Sequence, residues 1–308
     1  MGRYLTTRLI YSLLVILGVS AIVFTLGRLS GDPASLMLPM NATIEQRAAL
    51  SREMGFDQPI LTQYGRYLGQ LLQGDFGDSI RFRRPAIDVF LGALPATLQL
   101  AGASMLLAIT IGLPLGIAGA ARRNQPVDIA AMVFTALGQA IPSFWLGIML
   151  MLVFAVQLHW LPPSGSGTLA HLLMPAFTLS LKPMVTIARL TRSSLLEVLP
   201  ADFIRTARAK GLAETRLLFR HALKPALIPV LTVMGIQLGY MLGGAVITEQ
   251  IFGWPGIGRL AITAINTRDF PLLQTITLVG SATVVIINLV VDLLYSVVDP
   301  RIRYGGDQ

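Results

Sequence analysis

Long uncharged runs alternate with short charged segments along this 308-residue chain. Lipid offers a backbone no hydrogen-bonding partner, so a crossing helix needs about 20 mostly apolar residues in succession. Charges therefore bracket the places where such helices can lie. Arg8 and Arg28 enclose 19 uncharged residues, and Asp88 and Arg122 enclose 33. Asp128 and Lys182 enclose 53, too many for one helix, and the turn-forming stretch HWLPPSGSG at 159–167 divides them. Lys224 and Glu249 enclose 24, and Asp269 and Asp292 enclose 22. The pattern predicts six spans: within 9–27, near 95–120, near 129–157, from about His171, after Lys224 and after Asp269. The fourth carries Lys182 inside it and is closed early by Arg189. A lysine there either snorkels or faces a bundle interior.

Between the first two spans, residues 30–94 follow a different pattern. TIEQRAALSREMGF predicts a polar helix with Thr43 as N-cap, Gln46 at capping-box spacing and Gly55 as the stop. ILTQYGRYLGQLLQG places Ile60, Tyr64, Tyr67, Leu68, Leu71 and Leu72 on one helical face. The segment reads as a small helical cap that packs against span ends, and GDFGDS and RRP read as turns.

Composition sharpens this picture. Hydrophobic residues make up 54% of the chain and charged residues 13%, about half the usual supply of a water-soluble domain. With the N-terminus inside, Arg3, Arg8, Arg122, Arg123, eight Lys/Arg from Arg189 to Lys224, Arg301 and Arg303 all fall on the cytoplasmic side. Only Arg259 and Arg268 fall on short outer connections, and a loop as long as 30–94 escapes the positive-inside rule. The expected protein is an all-α integral membrane protein with six transmembrane helices and both termini cytoplasmic. Its expected organisation is a stub and first span at 1–29, an external helical loop at 30–94, a five-helix core at 95–300 and a tail at 301–308. The net charge of +8 then reports topology and not nucleic-acid binding, since the basic residues flank apolar spans. The apolar run of span one exceeds a usual signal core, so a retained helix is expected.

The chain has no cysteine, and His159, His171 and His221 form no ligand spacing, so no metal site is expected. Each lysine, Lys182, Lys210 and Lys224, is followed by Pro or Gly, never by the Ser or Thr of a phosphate-binding loop. The Asn41-Ala42-Thr43 sequon is assigned no role. At membrane depth the ionisable groups are Lys182, Glu249 and Asp292; such groups mark pathways or pair between spans. Lys182, Glu249 and the amide of Gln237 are the candidates for a pathway or gate.

The segment 195–224 carries most information. Asp202 can cap a helix that runs to Lys210, with Gly211 as the left-handed stop. A second short helix from Ala213 to about Leu223 is expected to end at Lys224-Pro225. Phe203, Leu212, Leu217, Leu218 and Phe219 are expected at its surface. Such a segment either anchors topology or docks a cytoplasmic partner, and the exposed apolar positions favour docking.

DFIRTARAKGLAETRLLFRHALKPALIP resembles the cytoplasmic signature loop of binding-protein-dependent ABC importer permeases. GDPA (31–34), MGFDQPI (54–60), GDFGDSI (74–80), RRPAIDVF (83–90), LPATLQL (94–100), HWLPPSG (159–165), EQIFGWPGIGRL (249–260), RDFPLLQ (268–274) and LVVDLLYSVVDPRIRY (289–304) extend the likeness over almost the whole chain. They resemble, in order, the first permease subunit of the dipeptide/oligopeptide/nickel group. The generic loop has Glu-Ala-Ala, three residues, then Gly; here Arg205 and Thr206 replace the first two, and Ala207 and Gly211 are kept. No glutamate contact at position 205 is implied.

The resemblance implies a type I ABC importer permease fold in a bacterial inner membrane. It implies no catalytic residue, cofactor or metal in this chain; ATP and Mg would be bound by partners. Those partners are a second homologous permease, two cytoplasmic ATPase subunits and an external or periplasmic substrate-binding protein, besides membrane lipid. Coupling to the ATPases falls on Arg205, Thr206, Ala207, Lys210, Gly211, Leu212 and Glu214. Di- or oligopeptides are the implied cargo, with glutathione-like compounds or nickel as alternatives. A stand-alone secondary carrier would need inverted repeats and broken midplane helices, which the sequence does not display.

Overall fold

The computed structural model describes residues 2–29, 43–53, 55 and 57–298. GDPA at 31–34, the start of the sequon and the tail at 301–308 lie outside the described residues, as does the side chain of Asp292. Twelve helices are described, and no strand beyond one isolated bridge between Asp78 and Pro85. They are α1 (Gly2–Leu29), α2 (Ile44–Glu53), α3 (Ile60–Leu72), α4 (Ala86–Ala121), α5 (Pro126–Ala140), α6 (Ser143–Leu150) and α7 (Leu169–Val198). There follow α8 (Asp202–Ala209), α9 (Glu214–Arg216), α10 (Leu223–Ile251), α11 (Ile257–Asn266) and α12 (Phe270–Val298).

Among the described residues, four stretches are each long and apolar enough to cross a membrane: α4, α7, Glu214–Gly243 and Phe270–Ile287. The expected span near 129–157 corresponds to two helical segments, Pro126–Ala140 and Ser143–Gln157, joined at a 100° bend. Ile141 precedes Pro142, and the proline ring drives that residue out of the helical region, to φ −69° and ψ 122°. Beyond α6 the chain widens into a π-helical turn, Met151–Gln157. Helix α1 is 28 residues long, and the uncharged run from 9 to 27 lies wholly within it.

Two compact units form. One is built mainly from Met1–Pro95 and Leu260–Ile286. In it the capping box of α2 forms as its sequence requires, Gln46 N–H to Thr43 Oγ1 at 3.2 Å and Thr43 N–H to Gln46 Oε1 at 3.0 Å. Gly55 stands at φ +69°, the left-handed stop. Helix α3 lays Tyr64 and Tyr67 on Phe24 of α1, with ring centroids 5.4 and 5.5 Å away. Tyr64 also hydrogen-bonds Ser20 at 2.7 Å. The predicted apolar face of α3 is only partly covered: Ile60 and Leu72 remain exposed.

The other unit is built mainly from Ala96–Arg259, and α7 is its hub. Glycines let neighbouring backbones approach it. A Cβ at Gly112 of α4 would stand 2.5 Å from Met184 O, and one at Gly138 of α5 would stand 2.7 Å from Val185 Cγ2. Gly116, one turn beyond Gly112, faces Ala188 O and Thr191 in the same way. This small-xxx-small spacing is how spans pack where lipid removes the hydrophobic drive between them. Ala101, Met105 and Ala108 of α4, Met184 and Ile187 of α7, and Val230 and Met241 of α10 fill the resulting core.

Candidate coupling segment and membrane-depth polar groups

Helix α8 is amphipathic over eight residues, and that periodicity decides what it shows to water. Ile204 and Ala207 turn inward and join Leu217, Ala222 and Ala226, closing against Ile117 and Ala120 of α4 and Leu195 of α7. Gly211 ends the helix at φ +79°. Its N–H reaches Arg208 O at 3.0 Å, and Leu212 N–H reaches Ala207 O at 3.4 Å. These are the two bonds of a Schellman stop, with Leu212 folding back on the helix it follows. Arg208 then spans the turn in a bidentate pair with Glu214, at 2.6 and 3.1 Å. The result is an elbow braced from inside by packing and from outside by an ion pair.

Three local expectations change. Asp202 is the first helical residue, with Ala201 in the cap position, and its carboxylate accepts from Arg205 at 3.3 Å. Leu217 is fully buried and Leu212 and Leu218 are partly buried, so only Phe203 and Phe219 stay exposed among the apolar positions expected at the surface. The second helix does not stop at Lys224-Pro225. It runs from α9 through a π-helical turn at Leu217–Ala222 into α10. The ring of Pro225 would meet the carbonyl of His221 in a regular helix, and His221 lies within the widened turn. Of the candidate coupling residues, Arg205, Thr206, Lys210, Gly211 and Glu214 are exposed, Ala207 is buried and Leu212 half-buried.

The candidate pathway residues are not brought together. Lys182 is exposed at the middle of α7, and Gln237 is half-buried on α10. Glu249 is fully buried and bound locally: it accepts from Thr97 Oγ1 at 2.6 Å and from Arg259 N–H at 3.0 Å. Thr97 in turn accepts Ile257 N–H at 2.8 Å, and Trp254 Nε1 donates to Ala96 O at 2.8 Å. A Cβ at Gly256 would land within the Glu249 carboxylate, so the EQIFGWPGIG turn is folded around that side chain.

Two carboxylates that sequence reading treated only as span boundaries hold turns together. Asp128 grips Arg192 of α7 at 2.6 and 2.8 Å and accepts Asn124 N–H at 2.9 Å. Asp269 is the N-cap of α12, accepting Leu272 N–H at 3.2 Å, Arg81 N–H at 3.1 Å and the Ser79 hydroxyl. An Asp directly before Phe270-Pro271 is a helix-start signal that could have been read.

Residues 112–304 match the family described as "Binding-protein-dependent transport system inner membrane component", and residues 1–101 match the corresponding N-terminal component. The chain belongs to this family of transport permeases. It is similar to the glutathione transport system permease protein GsiC of Salmonella paratyphi A, 41% identical over 99% of this chain and 100% of that protein. It is also similar to the oligopeptide transport system permease protein AppB of Bacillus subtilis, 39% identical over 99% of this chain and all of the relative. The dipeptide transport system permease protein DppB of Alkalihalophilus pseudofirmus is 41% identical, with the same coverage. In fold it resembles the inward-facing MetNI methionine ABC transporter, with TM-score 0.59, 18% identity, 68% of this chain and 96% of that one covered. An amino acid ABC transporter gives TM-score 0.54 at 18% identity over 70% of this chain and 95% of that one. This permease is therefore a multi-pass protein of the bacterial inner membrane with an ABC importer permease fold.

Proposed function

We propose that this permease forms half of the translocation pathway of an ATP-driven importer for di- and oligopeptides, glutathione included. Full-length likeness to peptide and glutathione permeases supports the cargo class. The elbow of α8 and α9 supports the mechanism and is the observation that carries it. Its inner side is locked onto α4, α7 and α10, and its outer side presents Phe203, Arg205, Thr206, Lys210, Glu214 and Phe219. A push on that outer side moves three spans as one body, which is what alternating access requires. ATP and Mg bind in two cytoplasmic ATPase subunits, a second permease completes the pathway, and an external binding protein delivers cargo. The test is to purify the permease with its partners, reconstitute the complex and measure ATP hydrolysis with the binding protein empty, peptide-loaded and glutathione-loaded. Stimulation by a loaded binding protein is expected; a permease that transports alone, without ATPase subunits, would sink the reading.

A further inference from the structure

Helix α7 is the span most buried within its own chain and the least apolar of the four long spans. Its exposed residues explain the combination. From Lys182 to Glu197 every exposed residue is polar: Lys182, Arg189, Ser193 and Glu197. Half-buried Thr186 completes the stripe, and the spacings of four, three, four and four residues keep all five on one helical face. Between them Met184, Val185, Ile187, Ala188 and Leu195 are buried, while Leu190, Arg192 and Leu196 are half-buried.

The stripe begins deep in the membrane, since Lys182 is the fourteenth residue of the thirty in α7. Neither Lys182 nor Arg189 makes an ion pair among the described residues. Thr186 and Ser193 spend their hydroxyl protons on their own helix, on Lys182 O at 2.9 Å and Leu190 O at 3.0 Å. The acid of the stripe, Glu197, lies fifteen residues from Lys182, about 22 Å along the axis. The exposed faces of two other spans are mixed, with Leu98, Leu106 and Ile111 beside Gln99 and Thr110 on α4 and Ile228 and Ile236 beside Thr232 and Tyr240 on α10, and none of these residues is charged. An unpaired ammonium at mid-span is expensive against lipid and is found against water or a counter-charge.

We infer that this stripe lines the aqueous pathway and that Lys182, with Arg189 a further two turns along, receives a carboxylate of the cargo. The inference rests on the pathway reading above and adds a chemical selectivity to it. A peptide carries a free C-terminal carboxylate and glutathione carries two. A fixed cation at mid-depth replaces the water such a group loses on entering, and the second cation offers the next station toward the other end.

The experiment uses the reconstituted complex with Ala-Ala and its C-terminal amide, each preloaded on excess binding protein so that delivery is not limiting. The Lys182→Gln variant is expected to slow uptake of the free acid by tenfold or more and to change uptake of the amide less than twofold. Lys182→Arg is expected to restore the free acid. Comparing each variant with wild type cancels the binding protein's own preference. Equal slowing of both cargoes, or of neither, overturns the carboxylate role. So does a defect that appears only in vesicles containing anionic phosphatidylglycerol and vanishes in phosphatidylcholine, since the cation would then be serving a lipid. ATP hydrolysis stimulated by loaded binding protein is followed in parallel. If it persists while the carboxylate effect fails, the importer reading stands and only this inference falls; if wild type itself shows no stimulation, the importer reading fails.

Discussion

At Gly211 a single φ of +79° decides the direction of everything that follows. A Cβ there would meet nothing within 4 Å in this chain, so a substitution costs backbone strain alone, about 1–2 kcal/mol for a branched side chain. Gly211→Val is therefore expected to insert and to pair with its partner permease. It should lose ATPase association or the stimulation of ATP hydrolysis by loaded binding protein, because the turn between α8 and α9 relaxes. Full stimulated activity would reduce segment 202–224 to a topology anchor. Gly256 is the opposite case, a glycine held for space. Its Cβ would overlap the buried carboxylate of Glu249, which already holds Thr97 and the N–H of Arg259. Gly256→Ala is expected to lower stability by about 1–3 kcal/mol through overpacking. Thermal unfolding in detergent reads this directly. Gly243→Ala on α10, where nothing lies within 4 Å, is the matched control and should be near neutral.

Between elements, the Asp128–Arg192 pair ties the first turn of α5 to the last third of α7, just ahead of the α8–α9 elbow. Asp128 is almost wholly buried, while the Arg192 side chain keeps 23% of its surface in contact with solvent. Breaking the pair is thus discounted from the full buried-pair penalty to about 1–3 kcal/mol. Arg192→Gln, which leaves the carboxylate buried and unpaired, should cost more than Asp128→Asn. The double variant should recover part of the loss in a thermal double-mutant cycle; strict additivity would show that the contact carries no coupling. Such contacts were not legible in the sequence. Asp128 and Arg192 stand 64 residues apart and Thr97 and Glu249 stand 152 apart, and charge counting says nothing of the partners those acids find. Local signals were legible where the chemistry is local. Thr43 with Gln46, Gly55 and Gly211 each does what its residue type requires. The bend at Ile141-Pro142 escaped because apolarity continues through it. The π-helical turns escaped because widening a helix leaves its composition unchanged.

For the whole molecule, the positive-inside distribution and the position of the elbow make one demand, that α8 and α9 face the cytoplasm. Eight basic residues lie from Arg189 to Lys224, and two more, Arg122 and Arg123, lie in the turn before α5. Anionic lipid and the insertion machinery hold such segments inside. On that reading the long segment between α1 and α4 is expected outside, within reach of a binding protein. Both claims fall together if the topology is inverted, because an elbow on the outer face could meet no cytoplasmic ATPase. The absence of cysteine from the sequence makes the test direct, since any introduced thiol is the only one. Arg123→Cys, Lys210→Cys and Gly74→Cys each place a thiol at an exposed position. In intact cells stripped of their outer barrier, a membrane-impermeant maleimide is expected to label Gly74→Cys alone. Inside-out vesicles should reverse the pattern, labelling Arg123→Cys and Lys210→Cys and sparing Gly74→Cys. Labelling of Lys210→Cys from outside would place the elbow on the wrong face and remove the physical basis for coupling to ATP hydrolysis.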